Sequence, residues 1–290
     1  MQQPKGWPAA TPFSLDFSGA SRPLDSVGAS RPWVLGILNV TADSFSDGGK
    51  FLDANRAIEH GLKLRDDGAD FVDVGGESTR PGANPVAVDE EMRRVMPVVE
   101  ALVAEGVAVS VDTSKPEVMR ASIAAGCAIV NDVNAFRAAG AVDAVAGAAR
   151  VGLVVMHMKG TPQTMQQDPS YGDVVAEVSA FLLERARVLE KAGVARHRIV
   201  LDPGFGFGKT VEHNKQVLHG IPKLAALGYP VLAGLSRKKM LGDFTGRPAA
   251  ERMAASVAAA LLAVQNGASL VRVHDVRETV DAIKVWMALR

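Results

Sequence analysis

Eight short apolar runs, each followed by a longer amphipathic one, set the tightest limit on what this chain can fold into. The runs at 34–39, 70–74, 107–112, 128–131, 152–156, 198–202, 230–234 and 269–273 are rich in Val, Ile and Leu. They mostly lack strict alternation, as strands covered on both faces do. The spacing predicts helices over 53–67, 89–104, 116–125, 139–149, 173–191, 212–226, 248–265 and 275–289. Asp53, Asp89 ahead of Glu90 and Glu91, and Asp275 with Glu278 three residues on read as helix starts. Gly68, Gly106, Gly126, Gly193 and Gly228 fall where helices should stop. Strand then helix, eight times over, is the pattern of an α/β fold of the (β/α)8 TIM-barrel type. A doubly wound open sheet is the competitor. No first strand leads into Gly-x-Gly-x-x-Gly, and Gly204-Phe205-Gly206-Phe207-Gly208 has another spacing and follows the sixth strand. A GxxxxGK[ST] phosphate loop is also missing from the sequence. Residues 1–30 read as an N-terminal extension, with a short hairpin over the barrel bottom, and 31–290 as the barrel.

A chain of 290 residues buries one large core without staples. Lys+Arg and Asp+Glu are 32 each, so no charge excess points to nucleic acid or a membrane surface. Residues 253–271 carry no charge, but Gln265-Asn266-Gly267 breaks the stretch into a helix, a turn and a strand, too short to span a bilayer. The start of the chain lacks the apolar core of a secretory signal, and the expected compartment is the cytoplasm. The single cysteine, Cys127, lies in an apolar run and reads as a buried, inert thiol. His60, His197, His213 and His219 read as surface or helix-end residues, and no spacing resembles a zinc site.

The C-terminal ends of the strands share one rim in such a barrel, and that rim holds the site. Here it is polar: Asn39, Asp73, Asp112, Asn131, His157 and Asp202 lie at successive ends, Ser236, Arg237 and Lys238 follow the seventh strand, and Arg272 and His274 end the eighth. A single Asp there, such as Asp112 or Asp132, reads equally well as a helix cap. Polar tips on seven ends are harder to explain so. Two subsites follow. Asp112, Asn131 and Asp202 accept from ring N–H and amino groups, Lys238 donates, and Met156 and Phe207 pack on a flat heterocycle, which fits a pterin- or purine-like ring. Barrel core is the plainer reading of Met156. Arg272 and His274, two apart on one strand face, suit an anion such as a diphosphate. Asn39 suits a diphosphate oxygen or a hydrated Mg²⁺ ion. Two Gly-rich segments, 40–49 and 75–82, read as lids over this rim.

The ordered motifs closely resemble the dihydropteroate synthases. They run from Asn39-Val40-Thr41-Ala42-Asp43-Ser44 through Gly75-Gly76-Glu77-Ser78-Thr79-Arg80-Pro81-Gly82, Val111-Asp112-Thr113 and Ile129-Val130-Asn131-Asp132. Leu201-Asp202-Pro203-Gly204-Phe205-Gly206-Phe207, Gly234-Leu235-Ser236-Arg237-Lys238 and Arg272-Val273-His274 complete the series. The resemblance implies condensation of 6-hydroxymethyl-7,8-dihydropterin diphosphate with 4-aminobenzoate, giving 7,8-dihydropteroate and diphosphate in folate biosynthesis. It assigns the pterin to Asp112, Asn131, Met156, Asp202, Phe207 and Lys238. Diphosphate falls to Asn39, Arg272 and His274 with Mg²⁺ as cofactor and Asn39 as its ligand. Aminobenzoate falls to Thr79, Arg80, Pro81, Ser236 and Lys238. Asp43 faces the reacting methylene, and Asp43, Asp202, Lys238, Arg272 and His274 form the catalytic set. It also implies a homodimer and a target of sulfonamides. One departure is Ala42, where the family has Pro; it implies a looser first lid and a modest loss of preorganisation. A methyltetrahydrofolate–corrinoid methyltransferase barrel, an aldolase-like barrel with Lys238 as nucleophile, and a non-catalytic pterin binder remain as alternatives.

Overall fold

The computed structural model describes residues 31–41, 50–79, 82–167 and 169–289. Its elements are β1 (Trp33–Asn39), α1 (Lys50–Asp66), β2 (Phe71–Gly75), α2 (Val88–Ala104), β3 (Val109–Asp112), α3 (Pro116–Ala124), β4 (Ile129–Asp132), α4 (Ala141–Ala146) and β5 (Gly152–Met156). Then come α5 (Val174–Lys191), β6 (Ile199–Asp202), α6 (Val211–Ala225), β7 (Leu232–Ala233), α7 (Lys239–Thr245), α8 (Met253–Gln265), β8 (Leu270–Val273) and α9 (Val276–Leu289). The strands are parallel, in the order β6-β5-β4-β3-β2-β1-β8-β7. The two ends of that order meet: Leu201 bridges Val231, and its N–H donates to Pro230 O at 2.9 Å. The sheet therefore closes on itself as a (β/α)8 barrel, and an open doubly wound sheet is excluded.

Two apolar layers hold it. Side chains on alternate strand positions face the barrel axis. Trp33, Leu35, Phe71, Ile129, Val154, Val200, Leu232 and Leu270 fill the lower interior, with the Trp33 and Phe71 rings 5.0 Å apart. Their neighbours, such as Val34, Val72, Val74, Val130, Val155 and Leu201, face outward and pack against the helices in a second, larger cluster. Each such buried Val or Leu contributes roughly 1.5–3 kcal/mol. Cys127 is 1% exposed, and burial pushes its thiol up to about 12, so it is inert at neutral pH.

The five glycines expected at helix ends all adopt positive φ. The expected starts fare less well. Asp89 lies inside α2, whose N-cap is Ala87 without a side-chain bond. α1 starts at Lys50, ahead of Asp53. The Asp275 carboxylate turns to Arg237, at 2.6 Å, rather than capping α9 with Glu278 as a partner. The strong caps are elsewhere: Asp173 accepts from Val175 and Ala176 N–H at 3.0 Å, and Thr210 and His213 form a reciprocal box on α6. Three elements differ from expectation. α4 is six residues long because Gly140 and Gly147 bound it. β7 shrinks to two residues behind Pro230, which has no N–H for a ladder. The single helix expected over 248–265 is α8 preceded by a 3-10 turn at Ala249–Glu251, and α7 was not expected. Among the described residues no helix is long and apolar enough to cross a membrane. The extension 1–30 and its hairpin lie outside the described residues.

Candidate functional site

One pleat above the apolar plug, the inward positions turn polar. Phe71 leads to Asp73, Ile129 to Asn131, Val200 to Asp202 and Leu270 to Arg272, each two residues on and so on the same strand face. Parallel register puts these groups side by side: Asp112 pairs with Asn131, and Met156 with Asp202. The chain thus floors the barrel mouth with hydrogen-bonding groups held on rigid strands.

The centre of that floor is an ionic lattice. Arg272 Nε donates to Asp73 Oδ2 at 2.5 Å, and its Nη2 to Asp112 Oδ2 at 2.8 Å. Asp73 is fully buried and also accepts from Ser110 Oγ at 2.5 Å. Burial opposes charge on Arg272, but Asp73 and Asp112 outweigh it and hold the guanidinium above its usual range. Burial likewise pushes the Asp112 carboxyl up, against the pull of Arg272. Asn131 Nδ2 lies 3.5 Å from Asp73, while Asn131 Oδ1 is buried with no partner among the described residues. An unpartnered buried acceptor is costly and marks a place for a donor.

On the opposite wall Asp202 Oδ1 accepts from Gly204 N–H at 2.7 Å. Burial raises its carboxyl to about 6, opposed by that bond and by Lys238. Lys238 Nζ stands 4.1 Å over the Phe207 ring, a cation–π contact. Burial and the Arg272 charge lower Lys238 to about 8. Met156, Met158, Met165, Val133 and Phe207 form a separate apolar patch at this level. Soft thioethers there shape themselves to a flat ring.

Ser236 and His274 meet at the end of β7 and β8. Ser236 Oγ accepts from the His274 backbone N–H at 3.2 Å and lies 2.9 Å from His274 Nδ1. Ser236 Oγ and His274 Nδ1 share one hydrogen bond whose direction follows the ring tautomer. Burial, then Arg237 and Arg272, lower His274 to about 4, so the ring is neutral at pH 7. Arg237 holds a positive φ of 57°, its N–H bonded to Ser256 Oγ at 2.9 Å. That bend carries the chain from Ser236 to Lys238. Asn39, at the end of β1, is exposed at the mouth.

A cavity of about 500 Å³ opens beside Asp112, walled by Ser78 and Thr79 of the second lid and by Thr161 and Gln163 after β5. Lys115 at the start of α3 bonds both Glu77 of that lid and the buried Glu91 of α2. Of the residues expected at the site, Asp112 and Thr79 share this cavity wall, whereas Asn131, Asp202, Lys238 and Phe207 are not part of its lining. Asp132 caps no helix: its carboxylate accepts from Asn134 and Phe136 N–H at 2.7 and 2.6 Å in the turn after β4, and α4 begins only at Ala141 behind Gly140. His157 turns away from the mouth, its ring edge-on to Phe181 at 5.0 Å. Ala42, Asp43, Arg80 and Pro81 lie outside the described residues. Asp73 belongs to neither subsite read from the sequence; a lone carboxylate inside Phe71-Val72-Asp73-Val74-Gly75 is the signal that marks it. Glu91 and Lys115 carried no such signal.

Comparison with known proteins supplies a family. A model described as pterin binding enzyme matches residues 35–274. A dihydropteroate synthase of Escherichia coli is 48% identical over 263 residues, covering 90% of this chain and 92% of the relative. The structure of Xanthomonas albilineans dihydropteroate synthase with 4-aminobenzoic acid superposes with a TM-score of 0.88 at 54% identity, covering 96% of this chain and 98% of that one. The same enzyme with 7,8-dihydropteroate gives 0.83 at 51% identity, over 94% and 98%.

Proposed function

The chain belongs to the pterin-binding enzymes, among the dihydropteroate synthases, and from that membership we infer that its barrel mouth joins 6-hydroxymethyl-7,8-dihydropterin diphosphate to 4-aminobenzoate, releasing 7,8-dihydropteroate and diphosphate. The observation that carries the reading is the buried, unpartnered Asn131 Oδ1, with the Asp112 carboxylate beside it in register and the buried Asp202 on β6. That is an acceptor-rich floor for the N–H and NH₂ groups on a pterin edge. Met156 and Phe207 pack its faces, and Lys238 donates to its carbonyl or a ring nitrogen.

In the reaction the bond from the pterin methylene to diphosphate oxygen breaks, and its electron pair leaves with diphosphate. The aminobenzoate nitrogen then bonds the methylene carbon, and its proton passes to diphosphate or solvent. The electron-rich ring stabilises the cationic methylene, and Asp202 sets negative charge beside it. Arg272 and a ring N–H of His274 favour the departing anion. Arg272 must then exchange part of its hold on Asp112 for phosphate oxygen. Thr79, Arg80, Pro81, Ser236 and Lys238 shape the aminobenzoate side, Asp43 adds negative charge where the cation develops, and the two lids exclude water from it. Lys238 acts as a donor, so borohydride should trap no adduct.

Mg²⁺ fits this site only together with substrate. Among the described residues no group of three or more His, Cys, Asp or Glu is placed to hold a metal. Asn39 offers one exposed amide oxygen, and diphosphate oxygens and waters would complete the shell. Bound there, Mg²⁺ would neutralise charge on the leaving group. We also take the enzyme to be cytoplasmic, with 31–290 as its one catalytic domain and 1–30 as an extension. It pairs as a homodimer through the apolar groove of α8 and α9, lined by Leu261, Val285, Trp286 and Leu289. The test is mass spectrometry of the chain incubated with both substrates and Mg²⁺. A dihydropteroate mass that vanishes on chelation is expected; pterin binding without product would refute the synthase reading and favour a methyltransferase or non-catalytic binder.

A further inference from the structure

A buried lysine stands behind the proposed pterin wall, and no step above uses it. Lys209 is 3% exposed. Its Nζ donates to Gly204 O at 3.0 Å and to Phe207 O at 3.1 Å, and lies 2.9 Å from His157 Nδ1. An ammonium has three donors, and here each has an acceptor. None of the three is a carboxylate, so the charge is buried without a contacting counter-ion, a placement that costs free energy and needs a compensating gain. Burial lowers Lys209 to about 7, opposed by the nearby Asp202. Burial, then the Lys209 charge, lower His157 to about 3, so its neutral ring accepts at Nδ1.

The three acceptors lie on two segments. His157 directly follows β5, where its N–H donates to Asp202 O at 2.9 Å. Gly204 and Phe207 belong to the loop that leaves β6, the loop bearing Asp202 at its root and the Phe207 ring under Lys238. The same loop has outer ties: Gly206 N–H to Asn214 Oδ1 at 2.8 Å and Tyr171 Oη to Gly208 O at 2.8 Å. Lys209 is the inner tie.

We propose that Lys209 is a positioning residue of the pterin subsite, its Nζ clamping the 203–208 loop onto the end of β5 so that Phe207 and Asp202 are held at the spacing the ring requires. The inference rests on the pterin reading of the mouth. A clamp of this kind touches no reacting atom and faces only one of the two substrates. Its loss should therefore fall on the pterin and spare the aminobenzoate.

The test measures calorimetric Kd for 6-hydroxymethyl-7,8-dihydropterin diphosphate, together with KM for each substrate, in Lys209→Met, Lys209→Gln and a remote control, Leu102→Ala. Met leaves two carbonyls without a donor. It should raise the pterin Kd and KM about tenfold and leave the aminobenzoate KM within about twofold. Gln retains a neutral donor and should fall between Met and wild type. Leu102→Ala, a core truncation in α2, should lower Tm while leaving both KM values. An unchanged pterin Kd in Lys209→Met would overturn the proposal. So would equal changes in both KM values, or a matching pterin loss in the control. If Lys209→Met does not fold, Lys209→Gln and His157→Ala decide: a weakened pterin Kd supports the clamp and an unchanged one in both overturns it. Wild-type protein that binds pterin but makes no dihydropteroate refutes the synthase reading alone, since the Kd comparison still reads the clamp. Wild-type protein that binds no pterin overturns both.

Discussion

At the scale of single residues the mouth is governed by one buried carboxylate. Asp73 is fully buried, yet it binds Arg272 Nε and Ser110 Oγ, both at 2.5 Å. Removing its charge leaves a guanidinium with Asp112 alone, and removing one partner of a buried pair is expensive. Asp73→Asn should cost about 3 kcal/mol in urea unfolding, and it should slow turnover because Arg272 loses its aim. Wild-type stability in that variant would mean that the lattice contributes nothing. A second expectation concerns pH. Burial raises Asp202 to about 6 and lowers Lys238 to about 8. Below pH 6 Asp202 is protonated and gives up acceptor capacity toward the pterin; above pH 8 Lys238 loses the proton that makes it a strong donor. Burial also raises Asp112 to about 7, so pterin affinity should rise as pH climbs through 6 and 7 and fall beyond 8. Calorimetry across pH 5–9 would show this, and Asp202→Asn should remove the step near 6 while leaving the one near 7.

At the scale of elements the turns decide what the strands can present. Gly204 holds φ +67°, and a Cβ there would sit 1.9 Å from His157 O, a backbone atom that cannot step aside. Gly106 has a similar φ of +72° but open space around it. Gly204→Ala should thus cost at least ~3 kcal/mol or prevent folding, while Gly106→Ala should cost about 1 kcal/mol; thermal melts of the pair would separate backbone strain from collision. The same distinction explains which elements were legible. Strands covered on both faces write themselves as Val- and Ile-rich runs, so all eight could be placed from sequence. α7 could not, because Gly246 and Pro248 break the pattern between it and α8, and seven residues carry too little periodicity. The rim was legible because acceptors at strand ends are rare in apolar surroundings. The Asp73–Arg272–Asp112 lattice was not, since its members lie 160 and 199 positions apart and only barrel closure joins them. Helix starts misled for a simpler reason: Asp275 has a better partner in Arg237 than the N–H groups of α9.

At the scale of the whole molecule the apolar flank proposed for pairing lies apart from the strand ends that form the mouth. The mouth is floored by the strand ends. The outer flank of α8 and α9 instead exposes Leu262, Val285 and Leu289 at 50%, 57% and 82% beside the apolar groove. An apolar strip of that kind on an otherwise mixed surface is what a self-complementary interface uses. A charge at its centre would be buried without a partner in a pair of chains but solvated in a single one. Val285→Glu should therefore shift the sedimentation of the protein to that of a monomer while the fold is retained. The substrate side supplies the second half of the argument. α8 precedes β8 and α9 follows it, and β8 carries Arg272 and leads into His274. The pairing proposed across these helices would buttress β8, the strand behind the proposed anion subsite, and not β3, β4 and β6, which carry the proposed pterin floor. The monomeric variant should keep its pterin Kd within about twofold while its affinity for free diphosphate weakens; calorimetry with each ligand would check both. A loss confined to pterin would mean that the interface supports the opposite wall of the barrel.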